Sequence, residues 1–166
     1  MLKTQHKLQE PRPEYEQLSI QDGKWQPEAW WLRVAQEGSF DGERDRGDLL
    51  MVIEAPRSRT LSRDVCDGLV QVLIRNYYQT PGSITRALRE ALLAANAWLF
   101  EQNLRLDAVR RVLVGLNCAI VRSEEVFIAQ LGPGVAYALH DKGAQRFPAD
   151  SVWLRAQPPG MVEINR

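Results

Sequence analysis

Few side chains in this sequence are of types and spacings that could do chemistry. A charged loop carries Asp41, Glu43, Asp45 and Asp48, an apolar run ends on Glu54, and "LGPG" sets Gly132, Pro133 and Gly134 between two further apolar runs. The acidic loop resembles a calcium loop only faintly. Gly47 stands one place late for the sharp turn, and Val52 stands where the bidentate Glu belongs, so a solvated hairpin loop is the better reading. The two histidines, His6 and His140, have no local acid or nucleophile beside them, which argues against a His-based triad or a His-ligated metal. Cys66 and Cys118 lie far apart among apolar residues without metal-type spacing, and are expected to be small buried hydrophobes. Neither "TPGSITR" nor "LGPGVA" has the spacing of a phosphate-binding loop, and Pro133 removes a backbone donor that such a cradle would use.

Composition narrows the function classes. The chain has 166 residues, enough for one domain with a real core, and equal numbers of acidic and basic side chains, 21 each. A formal net charge of zero argues against nucleic acid as a partner, because phosphate binding draws on excess positive charge, and offers little electrostatic protection against self-association. No apolar run approaches the ~20 residues of a membrane span. The polar opening "MLKTQHKLQEPRPEYEQLS" lacks a signal-peptide core, so the expected location is cytoplasmic and the expected partner another protein, not a membrane.

The elements that must position any site follow from periodicity. Residues 1–22 are expected to form a polar, poorly ordered arm, and residues 23–166 a single domain. "AWWLRV", Ala29 to Val34, reads as a strand, which would turn Trp30 and Trp31 to opposite faces, with core packing favoured over ligand stacking. "LLMVIEA" is of strand length. Ser62 is an N-cap for a helix whose apolar positions include Val65, Cys66, Leu69, Val70, Val72, Leu73 and Tyr77, and "TPG" ends it. Ser83 caps a second helix with the stripe Ile84, Leu88, Ala91, Leu92, Ala95 and Leu99; its alanines suggest close packing on a neighbour. Thereafter short apolar runs alternate with the polar turns "SEE", "GPG" and "DKG", the pattern of an antiparallel meander. The expected fold class is α+β, antiparallel sheet with a helical hairpin packed on it.

The order of these pieces resembles the metal-dependent Ser/Thr protein phosphatases of the PPM (type 2C) family. "RVAQEGSF", Arg33 to Phe40, resembles the R-x-x-N-E-D-S-F turn, and "LLMVIEAPRS", Leu49 to Ser58, stands where the family has V-x-D-G-M-G-G. "ALREALLAANAWLFEQ" resembles the second helix, "GLNCAIV" the G-T-T-A strand, "AQLGPGVAYAL" the A-N-V-G-D-S-R-A-Y-L strand-turn-strand, and "RFPADS" the L-T-x-D-H-S segment. The matches cover about residues 29 to 153, and the resemblance implies part of an αββα sandwich.

The departures from the pattern fall on the chemistry. In that family aspartates hold two divalent cations that bridge the attacking water. Here the Asp ending N-E-D is Gly38, the Asp-Gly pair is Glu54-Ala55, and the Asp of G-D-S-R is Pro133 beside Gly132. Arg33 remains where family members can hold the substrate phosphate. The later S-D-G and G-x-x-D-N segments lie beyond the end of this sequence. The resemblance therefore implies a vestigial site at Arg33, Gly38, Glu54, Ala55, Gly132 and Pro133, with no cofactor, or with Mn2+ or Mg2+ held weakly at Glu54. The expected function is a catalytically inactive phosphatase-like module that binds a second copy or another protein in bacterial-type Ser/Thr phospho-signalling. The alternatives are a divergent metal-dependent phosphatase, alone or completed by another chain, and a small-ligand sensor.

Overall fold

The computed structural model describes residues 13–21, 23–38, 45–55, 61–132, 134–147 and, for the backbone alone, 163–165. The strands are β1 (Ile20–Gln21), β2 (Lys24–Trp25), β3 (Leu32–Ala35), β4 (Asp48–Glu54), β5 (Gly115–Arg122), β6 (Glu125–Leu131), β7 (Ala136–His140), β8 (Gly143–Phe147) and β9 (Glu163–Asn165). Between β4 and β5 run two helices, α1 (Arg63–Gln79) and α2 (Ile84–Leu104). Five strands form an antiparallel sheet in the order β3-β4-β5-β6-β9, while β1-β2 and β7-β8 are separate two-stranded ribbons. The expected α+β class and helical hairpin are therefore observed.

Both helices start where the sequence places them. The Ser62 hydroxyl accepts from the Val65 backbone N–H, and the Ser83 hydroxyl from Arg86, each satisfying a donor the first helical turn leaves open. The buried face of α1 is Cys66, Leu69, Val70, Leu73, Ile74, Tyr77 and Tyr78; that of α2 is Ile84, Ala87, Leu88, Ala91, Leu92, Ala95 and Leu99. The helices pack on each other, and Gly68 lets the Trp98 ring approach α1 so closely that a methyl there would meet it at 2.5 Å. Ala97, one of the alanines read as packing positions, is exposed instead.

Strand alternation divides the sheet into two faces. Leu49, Met51, Ile53, Leu116, Cys118, Ile120, Phe127 and Ala129 point toward the helices and are buried with them in one core. The other face carries Leu32, Val34, Leu50, Val52, Ala119, Val121, Val126 and Ile128, all half-buried or exposed.

Three expectations need correction. Trp30 and Trp31 are not on a strand: they lie in a turn closed by the Leu32 N–H donating to the Ala29 carbonyl (2.9 Å), their rings packed edge to face at 5.3 Å and both half-buried against the core. "GPG" does not fold β7 back onto β6. The second neighbour of β6 is β9, and β7 pairs with β8 alone, so the expected continuous meander is broken there. The strand β9 and the β1-β2 ribbon also lie outside the expected order of elements, which opened at Ala29.

Within the segment read as a loose arm, residues 13–21 have definite neighbours. The Tyr15 hydroxyl donates to Asp48 Oδ2 (2.9 Å), the Gln17 amide to the Ala29 carbonyl (3.4 Å), and Ser19 is buried with its carbonyl accepting from Gln26 N–H. His6 and the rest of 1–12 lie outside the described residues.

Candidate functional site

The expected site residues are dispersed along the β3–β4 hairpin and its neighbours. Glu54 ends β4 opposite Gly115, the first residue of β5, and Ala55 follows it half-buried. Gly132 follows β6 at the same end of the sheet, and a methyl on it would lie 2.7 Å from the Gly115 Cα. Pro133 lies outside the described residues, as do Asp41, Glu43, the "PRS" that follows Ala55 and most of "RFPADS". Glu54, Ala55 and Gly132 are thus brought to one sheet end.

Gly38 is at the other end. Because β3 and β4 are antiparallel with Ala35 opposite Leu49, the turn after β3 lies beside Asp48, at the start of β4. Six residue steps of strand separate Asp48 from Glu54, about 20 Å at the usual rise. Arg33 stands between, opposite Met51, on the helix face. Its guanidinium donates to Asp67 Oδ1 of α1 at 2.9 Å and to the Leu32 carbonyl at 3.0 Å. This ion pair is partly exposed, which limits its worth to roughly 1 kcal/mol or less. Arg33 therefore ties β3 to α1, away from Glu54.

The Gly38 end is a polar joint that the sequence reading missed. Glu37 accepts from the backbone N–H of Arg46 (2.8 Å) and of Gly47 (3.2 Å), one on each carboxylate oxygen. Asp48 accepts from Glu37 N–H through Oδ1 (2.7 Å) and from the Tyr15 hydroxyl through Oδ2. Arg46 is 2% exposed; its guanidinium donates to the Thr80 carbonyl at the end of α1 (2.5 Å), and its own carbonyl accepts from the Tyr77 hydroxyl (2.6 Å). The Tyr78 hydroxyl reaches the carbonyls of Ala35 and Gly47. Burial raises both tyrosines well above the ordinary phenol range, so they stay neutral. Across the β5–β6 turn Arg122 bonds Glu125 at 2.6 Å, with Asp45 nearby at 3.8 Å; the bond to Glu125 holds the guanidinium more firmly protonated. The signal that could have located this joint is the pair Tyr77-Tyr78 near the end of an amphipathic helix, since a buried tyrosine hydroxyl needs an acceptor.

At the Glu54 end the polar groups are amides. The Gln130 amide nitrogen donates to Asn117 Oδ1 (2.9 Å) and to the Gly134 carbonyl (3.2 Å), and Gln130 is buried. Gly134 lies so close over Asn117 that a side chain would collide with its amide. The two glycines of "GPG" are thereby accounted for: Gly132, at φ +91°, passes backbone against Gly115, and Gly134 rides over Asn117, so the chain leaves across the sheet end instead of pairing with β6.

Both cysteines are free, buried thiols. Burial pushes the Cys66 thiol up to about 11, against a lowering by Arg33, and the Cys118 thiol up to about 12; Cys66 Sγ also donates to the Trp30 carbonyl (3.5 Å).

Neither the family models nor the curated proteins searched contain a match to this chain. Among solved structures, the backbone is similar to the crystal structure of the Mycobacterium tuberculosis serine/threonine phosphatase PstP/Ppp, with 14% sequence identity and a TM-score of 0.45. The overlap covers 75% of this chain and 57% of that one, so this chain spans little more than half of that protein's length.

Proposed function

We propose that this chain is a phosphatase-like domain that works by holding another protein chain rather than by two-metal hydrolysis. The observation that carries the reading is where the carboxylates lie. A two-metal clamp needs several carboxylates converging on cations about 4 Å apart. Glu37 and Asp48 are taken up by backbone and tyrosine donors at one end of the sheet, and Glu54 sits about 20 Å away at the other. Gly38 and Ala55, at positions where the family resemblance would put ligands, offer no side-chain oxygen. The described residues do not fit a two-metal centre. The phosphatase-like half of the reading is supported by the ordered motif resemblance from Arg33 to Ser151, and we extend it to a role in bacterial-type Ser/Thr phospho-signalling.

The test is calorimetric titration of the chain with Mn2+ at neutral pH, followed by an aryl phosphate hydrolysis assay. The expected result is no saturable uptake below millimolar metal and no turnover. Tight binding of two ions per chain with turnover would overturn the reading in favour of a divergent phosphatase, with Glu54 as a ligand.

A further inference from the structure

The chain ahead of the β1-β2 ribbon is held to the domain through very few groups. Of residues 13–18 only Tyr15 is half-buried; Pro13, Glu14, Glu16, Gln17 and Leu18 are exposed. None of them belongs to the hydrophobic core. Among the described residues, the hydrogen bonds of this segment come from two side chains. The Tyr15 hydroxyl donates to Asp48 Oδ2 at 2.9 Å, and the Gln17 amide donates to the Ala29 carbonyl at a longer 3.4 Å. Ser19, which is buried, marks the inner end, where its carbonyl accepts from Gln26 N–H at 2.8 Å. A segment that buries so little apolar surface sits at the low end of local stability. What keeps it down is polar, and the shorter of its two side-chain bonds has a charged acceptor, the stronger kind.

We propose that residues 13–18 form a detachable strap, that the Tyr15–Asp48 bond is its latch, and that the latch sets how firmly the two flanks of the β3–β4 connection are held together. The Asp48 carboxylate has two oxygens and a partner on each: Oδ2 accepts from the Tyr15 hydroxyl, and Oδ1 accepts from Glu37 N–H at 2.7 Å. Glu37 then spans the connection with its own carboxylate, accepting from the N–H groups of Arg46 and Gly47. The carbonyls of those two residues receive the hydroxyls of α1, Tyr77 on Arg46 and Tyr78 on Gly47. Strap, connection and helix are therefore joined by consecutive hydrogen bonds, each of which orients the group that makes the next. Tyr15 restrains the Asp48 side chain. Without it that side chain regains rotamer freedom and Oδ2 turns to water, so Oδ1 meets Glu37 N–H for less of the time. The coupling fades at α1, because Tyr77 and Tyr78 are fixed in the core and Arg46 also donates to the Thr80 carbonyl. The unit that opens is thus the strap with the flanks of the connection, while the sheet and helices stay closed. The device is independent of the protein-binding reading above.

The test is backbone NMR on the full chain. Wild type is compared with Tyr15→Phe, which removes one hydroxyl from a half-buried side chain, and with Tyr15→Glu, which sets a carboxylate against Asp48. Heteronuclear proton–nitrogen NOEs report the order of the strap, and native-state hydrogen exchange reports the amides of Glu37, Arg46 and Gly47. In wild type, residues 15–18 are expected to be as rigid as the β1-β2 ribbon. In Tyr15→Phe the three amides should exchange about 10-fold faster, the scale of one lost hydrogen bond to a charged group, while Cys118 and Ile120 of β5 keep their wild-type protection. In Tyr15→Glu the NOEs of the strap should fall to those of a free terminus, with the same three amides faster still. A wild-type strap already as mobile as a free terminus overturns the latch. Unchanged exchange at all three amides in both variants overturns the coupling. Equal acceleration at Cys118 and Ile120 also overturns the proposal, because Tyr15 would then support the whole fold and the strap would not open by itself.

Discussion

Replacing Gly132 by alanine should destabilise the domain by more than its backbone angle alone requires. Two costs act there. At φ +91° an L side chain is strained, worth about 1–2 kcal/mol. The added methyl would also stand 2.7 Å from the Gly115 Cα, a backbone atom that cannot swing aside as a side-chain tip could. Gly115 is fixed by its ladder partner Glu54, so relief means shifting β5 or β6, an overpacking cost of about 1–3 kcal/mol. Gly82 is the control. Its φ is +106°, and the atoms nearest an added methyl belong to the flexible end of Arg86 at 3.5 Å and beyond. Gly82→Ala should therefore show the strain alone. For a chain of this size the extra 1–3 kcal/mol corresponds to a Tm roughly 2–12 °C lower for Gly132→Ala than for Gly82→Ala. Thermal unfolding followed by circular dichroism, with urea unfolding at 25 °C as a second measure, reads the difference. Equal losses in the two variants would refute the close approach at Gly115 and, with it, the account of why glycine flanks Pro133.

Two further outcomes are expected. Arg46→Ala removes a guanidinium that is 2% exposed and bonded to the Thr80 carbonyl, so stability to urea should fall by about 2–4 kcal/mol; a loss below ~0.5 kcal/mol would show that the joint between the β3–β4 turn and α1 does not depend on it. Stability should also decline at alkaline pH. In the unfolded chain both thiols ionise near 9, whereas the folded chain keeps Cys66 protonated to about 11 and Cys118 to about 12. The unfolded state then sheds protons the folded state retains, so the contribution is whole below about pH 9 and is lost as pH rises through the folded values, by about 1.4 kcal/mol per pH unit per thiol. Cys118→Ala should flatten the fall of Tm between pH 9 and 10.5; an unchanged slope would contradict the assigned burial.

The helices were legible because their signals are local. Ser62 and Ser83 cap the two helices as read, and "TPG" can only interrupt them; the buried faces agree in the main, with Val65 and Val72 only half-buried and Ile74, Tyr78 and Ala87 buried without having been read. The β4, β5 and β6 strands were legible for the same reason. The Trp30-Trp31 turn was not: two tryptophans in an apolar run look like strand, and the turn they form is closed by a Leu32-to-Ala29 backbone hydrogen bond that no turn-forming Gly, Pro, Asn or Asp announces. The pairing of β6 with β9 was equally hidden, since three residues near the end of the sequence carry no alternation long enough to read. The polar joint went unread because its parts are scattered through Tyr15, Glu37, Arg46, Asp48 and Tyr77, and only the antiparallel register of β3 on β4 assembles them.

That register also bears on how the candidate site should be understood. A carboxylate can hold a cation only with oxygens left over from structural work. Both oxygens of Glu37 accept backbone N–H groups of the loop they close, and both oxygens of Asp48 are likewise engaged. At the opposite end, Gln130 and Asn117 bond each other through neutral amides, and Gly132 closes the space beside Gly115 with backbone. The polar groups Glu37, Asp48, Gln130 and Asn117 thus fix the chain path at the two ends of the sheet. A cation held at either end would therefore have to compete with the backbone and tyrosine donors for the oxygens of Glu37 and Asp48, or rely on Glu54.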